Sequence, residues 1–307
     1  MVMDFYKQVS DNKRMTYFLF AAFFILIGFL AFLLSFFLDP SFGFGFSFIL
    51  TVSGFFIILF SLISYYTCDS IVVAVSGAHE APRNDPRFKQ LYNIIEEMRL
   101  ASGLPMPKVF FIDDTAINAF ATGRNPEHSV VCVTTGALTL LSRDELQGVV
   151  AHELSHIKNY DIRTMTIASV LVGIAVLLSD VLLRIVFHSH SNNDSKDGRL
   201  FIILLVFAVL LAVLTPIIAR IINFSISRKR EFMADAGSAE MTRNPLGLAS
   251  ALEKISKDKE PLEAANKATA HLYIANPLKG QKLWMMNLFS THPPIEERIA
   301  ALKGLKN

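Results

Sequence analysis

Residues 149–159 read VVAHELSHIKN, and the reading of this stretch decides what the rest of the chain must supply. Ser142, Asp144 and Glu145 precede it in the pattern of a capping box, so a helix is expected to begin there and run through the stretch. On a helix, His152 and His156 are four apart and lie one turn from each other on one face. Two imidazole nitrogens on that spacing reach one ion at about 2.0–2.1 Å. Glu153 is turned by roughly 100° around the axis, beside the ion but off the ligand line, where a carboxylate can act as general base. The alternative is an amphipathic helix with a solvated polar face. Val149, Val150, Ala151, Leu154 and Ile157 favour a buried one.

A catalytic zinc needs a third protein ligand and one open position. No histidine stands five or six residues after His156, so that ligand comes from farther along the chain. The best distal candidate is Glu231 in RKREFMAD, which opens another expected helix. Asp235 lies four residues on, on the same face, suited to orienting a ligand histidine from behind. Alternatively, Glu231 and Asp235 belong to a salt-bridged surface helix with Arg228, Lys229 and Arg230. Asp161 reads as a helix-end residue and Arg298 as a salt-bridge partner.

The chain around these motifs is apolar: of 307 residues, 52% are hydrophobic and 18% charged, with 26 Phe. Soluble domains carry about 45–50% and about 25%. The excess falls in blocks. Residues 15–38, 40–68 and 200–219 are free of charge, each long enough for a bilayer core needing roughly 20 residues. A shorter block, 164–179, runs into Asp180 and Arg184 and reads either as a membrane or re-entrant helix or as a buried core helix. We read four apolar membrane helices. The first exceeds a signal-peptide core and lacks a cleavage site, so it is a retained anchor. Lys7, Lys13 and Arg14 precede the first block, and Arg220, Arg228, Lys229 and Arg230 follow the fourth. Both termini and the segment 69–163 are therefore expected on the cytoplasmic side, Lys196 and Arg199 being a weak counter-signal.

The expected organisation is a two-helix anchor over 1–69, a first catalytic segment over 70–163, an apolar hairpin over 164–222, and a second catalytic segment over 223–307 carrying the third ligand. In the first catalytic segment, an amphipathic helix from Pro86 to Ser102 closes at Gly103. PKVFFID, NAFATG and SVVCVTTGAL follow as short strand-like runs, the last two divided by the turn GRNPEH. The second begins with the helix ISRKREFMADAGSAEM, followed by another after Asn244-Pro245 and by THPPIEERIAALKGL near the end. The fold class is a mainly α membrane protein of α+β type with a small sheet. A net charge of +2 suggests no nucleic-acid partner. Cys68 and Cys132 have no metal-type spacing and read as unpaired thiols.

AHELSHIKNYD, SRKREFMADAGSA and THPPIEERI, with NAFATG ahead of them and two pairs of apolar blocks, resemble the membrane zinc metalloproteases of the HtpX type, relatives of the type I CAAX prenyl protease. The resemblance covers essentially the whole chain. It implies a zincin-like cytosolic domain in a bacterial inner membrane, one zinc ion held by His152, His156 and Glu231, and attack of a zinc-bound water with Glu153 as base and acid. It further implies quality control of misfolded or damaged membrane proteins. The strand matching NAFATG lies along the cleft in relatives, so Asn118, Ala119 and Phe120 would pair with the backbone of an extended substrate. His292 belongs to the terminal motif, either stabilising an oxyanion or packing the C-terminal helix. His188 and His190 read as part of a solvated loop, and His79, His128 and His271 have no constellation. An intramembrane protease is disfavoured, because Arg143, Asp144, Glu145, Lys158, Asp161 and Arg163 flank the motif. A non-catalytic zinc-binding scaffold remains the rival and predicts that Glu153 is dispensable.

Overall fold

The computed structural model describes residues 43–171, 228–263, 269–275, 277 and 293–305, with scattered residues over 10–36 and at 173–174, 184 and 205–206. Helix α1 spans Phe44–Val75. Strand β1, His79–Glu80, follows, and a 3₁₀ turn at Pro86–Phe88 leads into α2, Lys89–Ser102. Leu91, Ile94, Ile95 and Met98 form the buried face of α2, and Gly103 ends it in the left-handed conformation (φ 73°) that a residue without Cβ adopts freely. This is the amphipathic helix expected from the sequence.

Strands β2 (Lys108–Ile112), β3 (Ala119–Asn125) and β4 (His128–Thr134) join β1 in one sheet of order β1-β2-β4-β3. β2 and β4 pair in parallel, the other neighbours antiparallel, so β3 stands at an edge. The run SVVCVTTGAL divides sooner than its β-rich start suggests. β4 stops at Thr134, whose hydroxyl accepts from the Ala137 amide and caps α3, Thr135–Leu140.

Helix α4, Arg143–Lys158, starts on the capping box read from the sequence. The Ser142 hydroxyl accepts from the Glu145 amide, and the Glu145 carboxylate accepts from the Ser142 amide. α5 spans Arg228–Thr242. α6 spans Pro245–Lys257 behind an Asn244 cap with proline in its first turn, and α7 spans Ile295–Gly304. α4 is the axis of the domain, packed on α2, α5, α6 and β3. Its crossing with α6 depends on Gly148, where a Cβ would stand 2.6 Å from the Leu248 backbone nitrogen. The Gly148 carbonyl in turn accepts from the Ser238 hydroxyl of α5 at 2.7 Å.

The expectation of a mainly helical chain with a small sheet is met; that of four membrane helices is not met by what is described. Among the described residues, no helix is long and apolar enough to cross a membrane. α1 itself has 32 residues, about 48 Å at 1.5 Å each, but the side chains at 49–50, 53, 56–57 and 60–61 lie outside the description. Helical residues continue over 161–171 at the start of the third apolar block. Parts of the first and third blocks and all of the fourth except residues 205–206 lie outside the described residues, as do His188, His190 and His292. Cys68 and Cys132 are both free and buried.

Candidate metal centre

The expected ligands come together. His152, His156 and Glu231 offer one donor atom each, all within 4.8 Å of one another, in a group buried throughout. The Nε2 atoms of the two histidines are 3.2 Å apart. Glu231 Oε2 stands 3.8 Å from His152 Nε2, and Oε1 stands 3.6 Å from His156 Nε2. The carboxylate distances exceed a hydrogen bond. They approach instead the separation of about 3.3 Å between donors sharing a tetrahedral ion with bonds near 2.0–2.1 Å.

The outward ring nitrogens support the same tautomers. His152 Nδ1 lies 3.0 Å from Asp235 Oδ1, and His156 Nδ1 lies 3.1 Å from Asp161 Oδ2. A proton on each Nδ1 donates to its carboxylate and leaves both Nε2 lone pairs facing the common point. The donor set, two imidazoles and a carboxylate with backing carboxylates, fits zinc.

Asp235 thus sits where the helix spacing suggested. Asp161 does more than end a helix. Tyr160 takes a left-handed φ of 60°, and this reversal after α4 brings Asp161 back onto His156. Arg230 Nη1 lies 3.6 Å from the other Asp161 oxygen. Arg298 is the salt-bridge partner expected, and it is 1% exposed, in the middle of the cluster. It donates to both Asp235 oxygens at 2.7 and 2.9 Å, and Nη1 lies 3.5 Å from Glu231 Oε2. Only the pairing of an apolar-flanked arginine with a distant acid could have signalled this in the sequence, and no local pattern carries such information.

Electrostatics follow from burial. Burial drives the Glu153 carboxyl up to about 7, aided by Glu231 and opposed by His156, Arg298 and the Ala121 backbone on β3. His152 is pushed down to about 4 by burial against the pull of Asp235. Burial also acts to lower His156, but Asp161 and Glu231 outweigh it and raise it to about 9. A cation entering between the rings displaces the proton held there, so metal uptake is proton-coupled.

Asn118, Ala119 and Phe120 lie at the start of the edge strand, all buried. Their free side is covered by the chain itself: Phe120 forms an antiparallel bridge with Tyr273, and the Ala119 carbonyl accepts from the Ile274 amide at 2.9 Å. His271, expected to have no constellation, is buried, with Nε2 3.0 Å from the Ser169 hydroxyl and 3.2 Å from the Met165 carbonyl.

Comparison with known proteins gives the family. The model of "Peptidase family M48" matches residues 85–306. A "Protease HtpX homolog" of Dictyoglomus thermophilum is 45% identical over 299 residues, covering 97% of this chain and 94% of that one. One from Tropheryma whipplei is 40% identical over 303 residues, covering 98% and 99%. Among solved structures, that of S. mikatae Ste24p matches 98% of this chain and 66% of its own length, at 19% identity and a TM-score of 0.46. From the family match and the breadth of these identities, the chain belongs to peptidase family M48, whose HtpX-type members it matches along nearly its whole length.

Proposed function

We propose that the chain is a zinc-dependent endopeptidase of a bacterial inner membrane, its catalytic domain facing the cytoplasm, that cleaves misfolded or damaged membrane proteins. The observation that carries the reading is the convergence of His152, His156 and Glu231 on one point, with Glu153 beside it on the same helix. When bound, zinc would supply a Lewis acid that acidifies water and polarises a peptide carbonyl. His152 and His156 present unprotonated Nε2 atoms to it, held in that tautomer by Asp235 and Asp161. Glu153 accepts a proton from the attacking water and returns it to the leaving amine. The β3 backbone from Asn118 to Phe120 aligns an extended substrate as an added strand. His292 serves as oxyanion donor or as packing for the C-terminal helix.

The membrane assignment draws on the charge-free blocks and on the apolar surface of α1. Phe44, Phe48, Phe55, Ile58, Leu62 and Tyr66 are all more than half exposed, a patch that water disfavours. The helical residues 161–171 follow the metal-binding helix after the turn at 159–160 and enter the third block, which supports a site close to the bilayer.

The decisive variant is Glu153→Gln. Purified zinc-loaded protein in detergent is expected to cleave casein, and the variant to lose about 10²–10⁴-fold of that activity with zinc content unchanged. A wild type that holds zinc yet cleaves nothing under any zinc condition would favour the scaffold instead.

A further inference from the structure

The edge of β3 is already covered by a short segment of the chain, Tyr273 to Ala275. Tyr273 opposes Phe120 in antiparallel register, which sets Ile274 opposite Ala119 and Ala275 opposite Asn118. Three hydrogen bonds fix it. The Ile274 amide donates to the Ala119 carbonyl at 2.9 Å, and the Ala275 carbonyl accepts from Asn118 Nδ2 at 3.2 Å. The Ile274 carbonyl accepts from Arg298 Nη1 at 3.1 Å. Both backbone groups of Ile274 are therefore engaged, one by the edge strand and one by an arginine that also touches Glu231 and Asp235. The Phe120 and Tyr273 rings meet edge to face at 5.1 Å, and Tyr273, Ile274 and Ala275 are buried.

An unpaired strand edge is a template for any extended chain, and only one chain fits along it at a time. The metal cluster lies within this span. Arg298, which binds the Ile274 carbonyl, has Nη2 3.4 Å from the His152 ring nitrogens. The Ala121 backbone, one residue beyond the bridge, acts on the Glu153 carboxyl. The β3 edge that this segment covers thus lies beside both the candidate ligands and the candidate base.

We propose that residues 271–275 are an internal strap occupying the substrate groove, and that incoming polypeptide competes with it for the β3 edge, so cleavage waits on release of the strap. The proposal rests on the peptidase reading, in which β3 pairs with substrate. The strap offers β3 what a substrate would: an antiparallel bridge at Tyr273, an amide donated to Ala119, and a carbonyl that accepts from Arg298. Its near end is tied elsewhere. His271 contacts the Ser169 hydroxyl and the Met165 carbonyl, in the helical residues that open the third apolar block. A shift of that block reaches the groove through His271, three residues from Ile274.

Two variants of the full zinc-loaded chain test this on casein. Ile274→Pro removes the amide donated to Ala119, and Tyr273 at φ −75° and ψ 146° already has the conformation that precedes proline. Activity is expected to rise about three- to tenfold, mainly through a lower KM, the worth of one backbone hydrogen bond lost by the competitor. The double variant A119C/I274C locks the strap when oxidised, and cleavage is expected to cease until reductant is added. An Ile274→Pro protein that keeps its zinc and melting temperature but cleaves no faster than wild type overturns the strap. So does a locked form as active as its reduced form, which decides the matter even where the proline variant fails to fold. Cleavage by wild type with either of those results leaves the peptidase reading standing. Zinc-loaded wild type, proline variant and reduced double variant that all leave casein intact overturn both.

Discussion

The two histidines of α4 stand one turn apart, yet each is held from a different part of the chain. His156 is served locally: Asp161, five residues on, reaches its Nδ1 through the reversal at Tyr160. His152 is served from a distance by Asp235 on α5, which is itself clamped by Arg298 on α7. The local half can form as soon as α4 and its C-terminal turn fold. The distal half forms only when the segments beyond the apolar blocks dock against α4. A site divided this way cannot hold a metal tightly in a half-made protein, which suits an enzyme dangerous to its neighbours.

The division is broken hardest at Arg298. Its guanidinium is buried among Asp235, Glu231 and His152, and replacing it with methionine leaves two buried carboxylates facing each other without their cation. Removing one partner of a buried ion pair costs about 3–5 kcal/mol. Arg298→Met should accordingly lower the melting temperature of the detergent-solubilised protein by roughly 10 °C. A shift of only a degree or two would mean the distal half is not braced through Arg298.

The two backing carboxylates then separate the halves. Asp161→Asn and Asp235→Asn should each weaken zinc binding about 10- to 100-fold, because each replaces the charged acceptor behind one ring with a neutral amide. Their effects on folding should differ. Asp235→Asn also costs Arg298 two carboxylate hydrogen bonds of 2.7 and 2.9 Å, so the metal-free protein melts lower, whereas Asp161→Asn takes from Arg230 only an ion pair of 3.6 Å and should lower the melting temperature less. Chelator competition reads the first quantity and thermal melting of the metal-free chain the second. Equal effects of the two variants on both measures would dissolve the distinction.

The same contrast governs what could be read from the sequence. Capping signals and short-period patterns are local, so α2, the start of α4, the Asn244 cap of α6 and both α4 histidines were legible. Glu231 and Asp235 were legible too, because their four-residue spacing makes one helix face. β1 escaped notice, being a two-residue strand that exists only by pairing with Phe110 and Phe111. The Thr134 cap was hidden inside a β-rich run, where its hydroxyl looks like any strand threonine. Asp161 read as a helix end because its use depends on a left-handed tyrosine that no propensity announces. The contact of Ile274 with Ala119 and Arg298 joins three distant segments, and nothing in the local composition of HLYIA marks it.

The smallest expected effect lies where α4 begins. Glu145 closes the capping box and also reaches across to α6, accepting from Lys254 Nζ at 2.7 Å and from the Ser250 hydroxyl at 2.6 Å. It therefore holds the local half of the site against the distal half at their shared helix. Burial alone would raise its pKa, but Lys254, Ser250 and the Ser142 amide outweigh burial and pull it down to about 2. A carboxyl depressed in the folded state stabilises fully above its ordinary value near 4.5, and the contribution fades as pH falls toward about 2. Lys254 is 43% exposed, so solvent screens much of the attraction and about 1–2 kcal/mol remains. Glu145→Gln should lower stability by that amount at neutral pH, with a gap to wild type that is flat between about pH 6 and 8 and narrows below about pH 4.5. Unfolding in denaturant across that range measures it. A gap that widens in acid would show that the Glu145 charge opposes the docking of α4 on α6 and that the capping box acts alone.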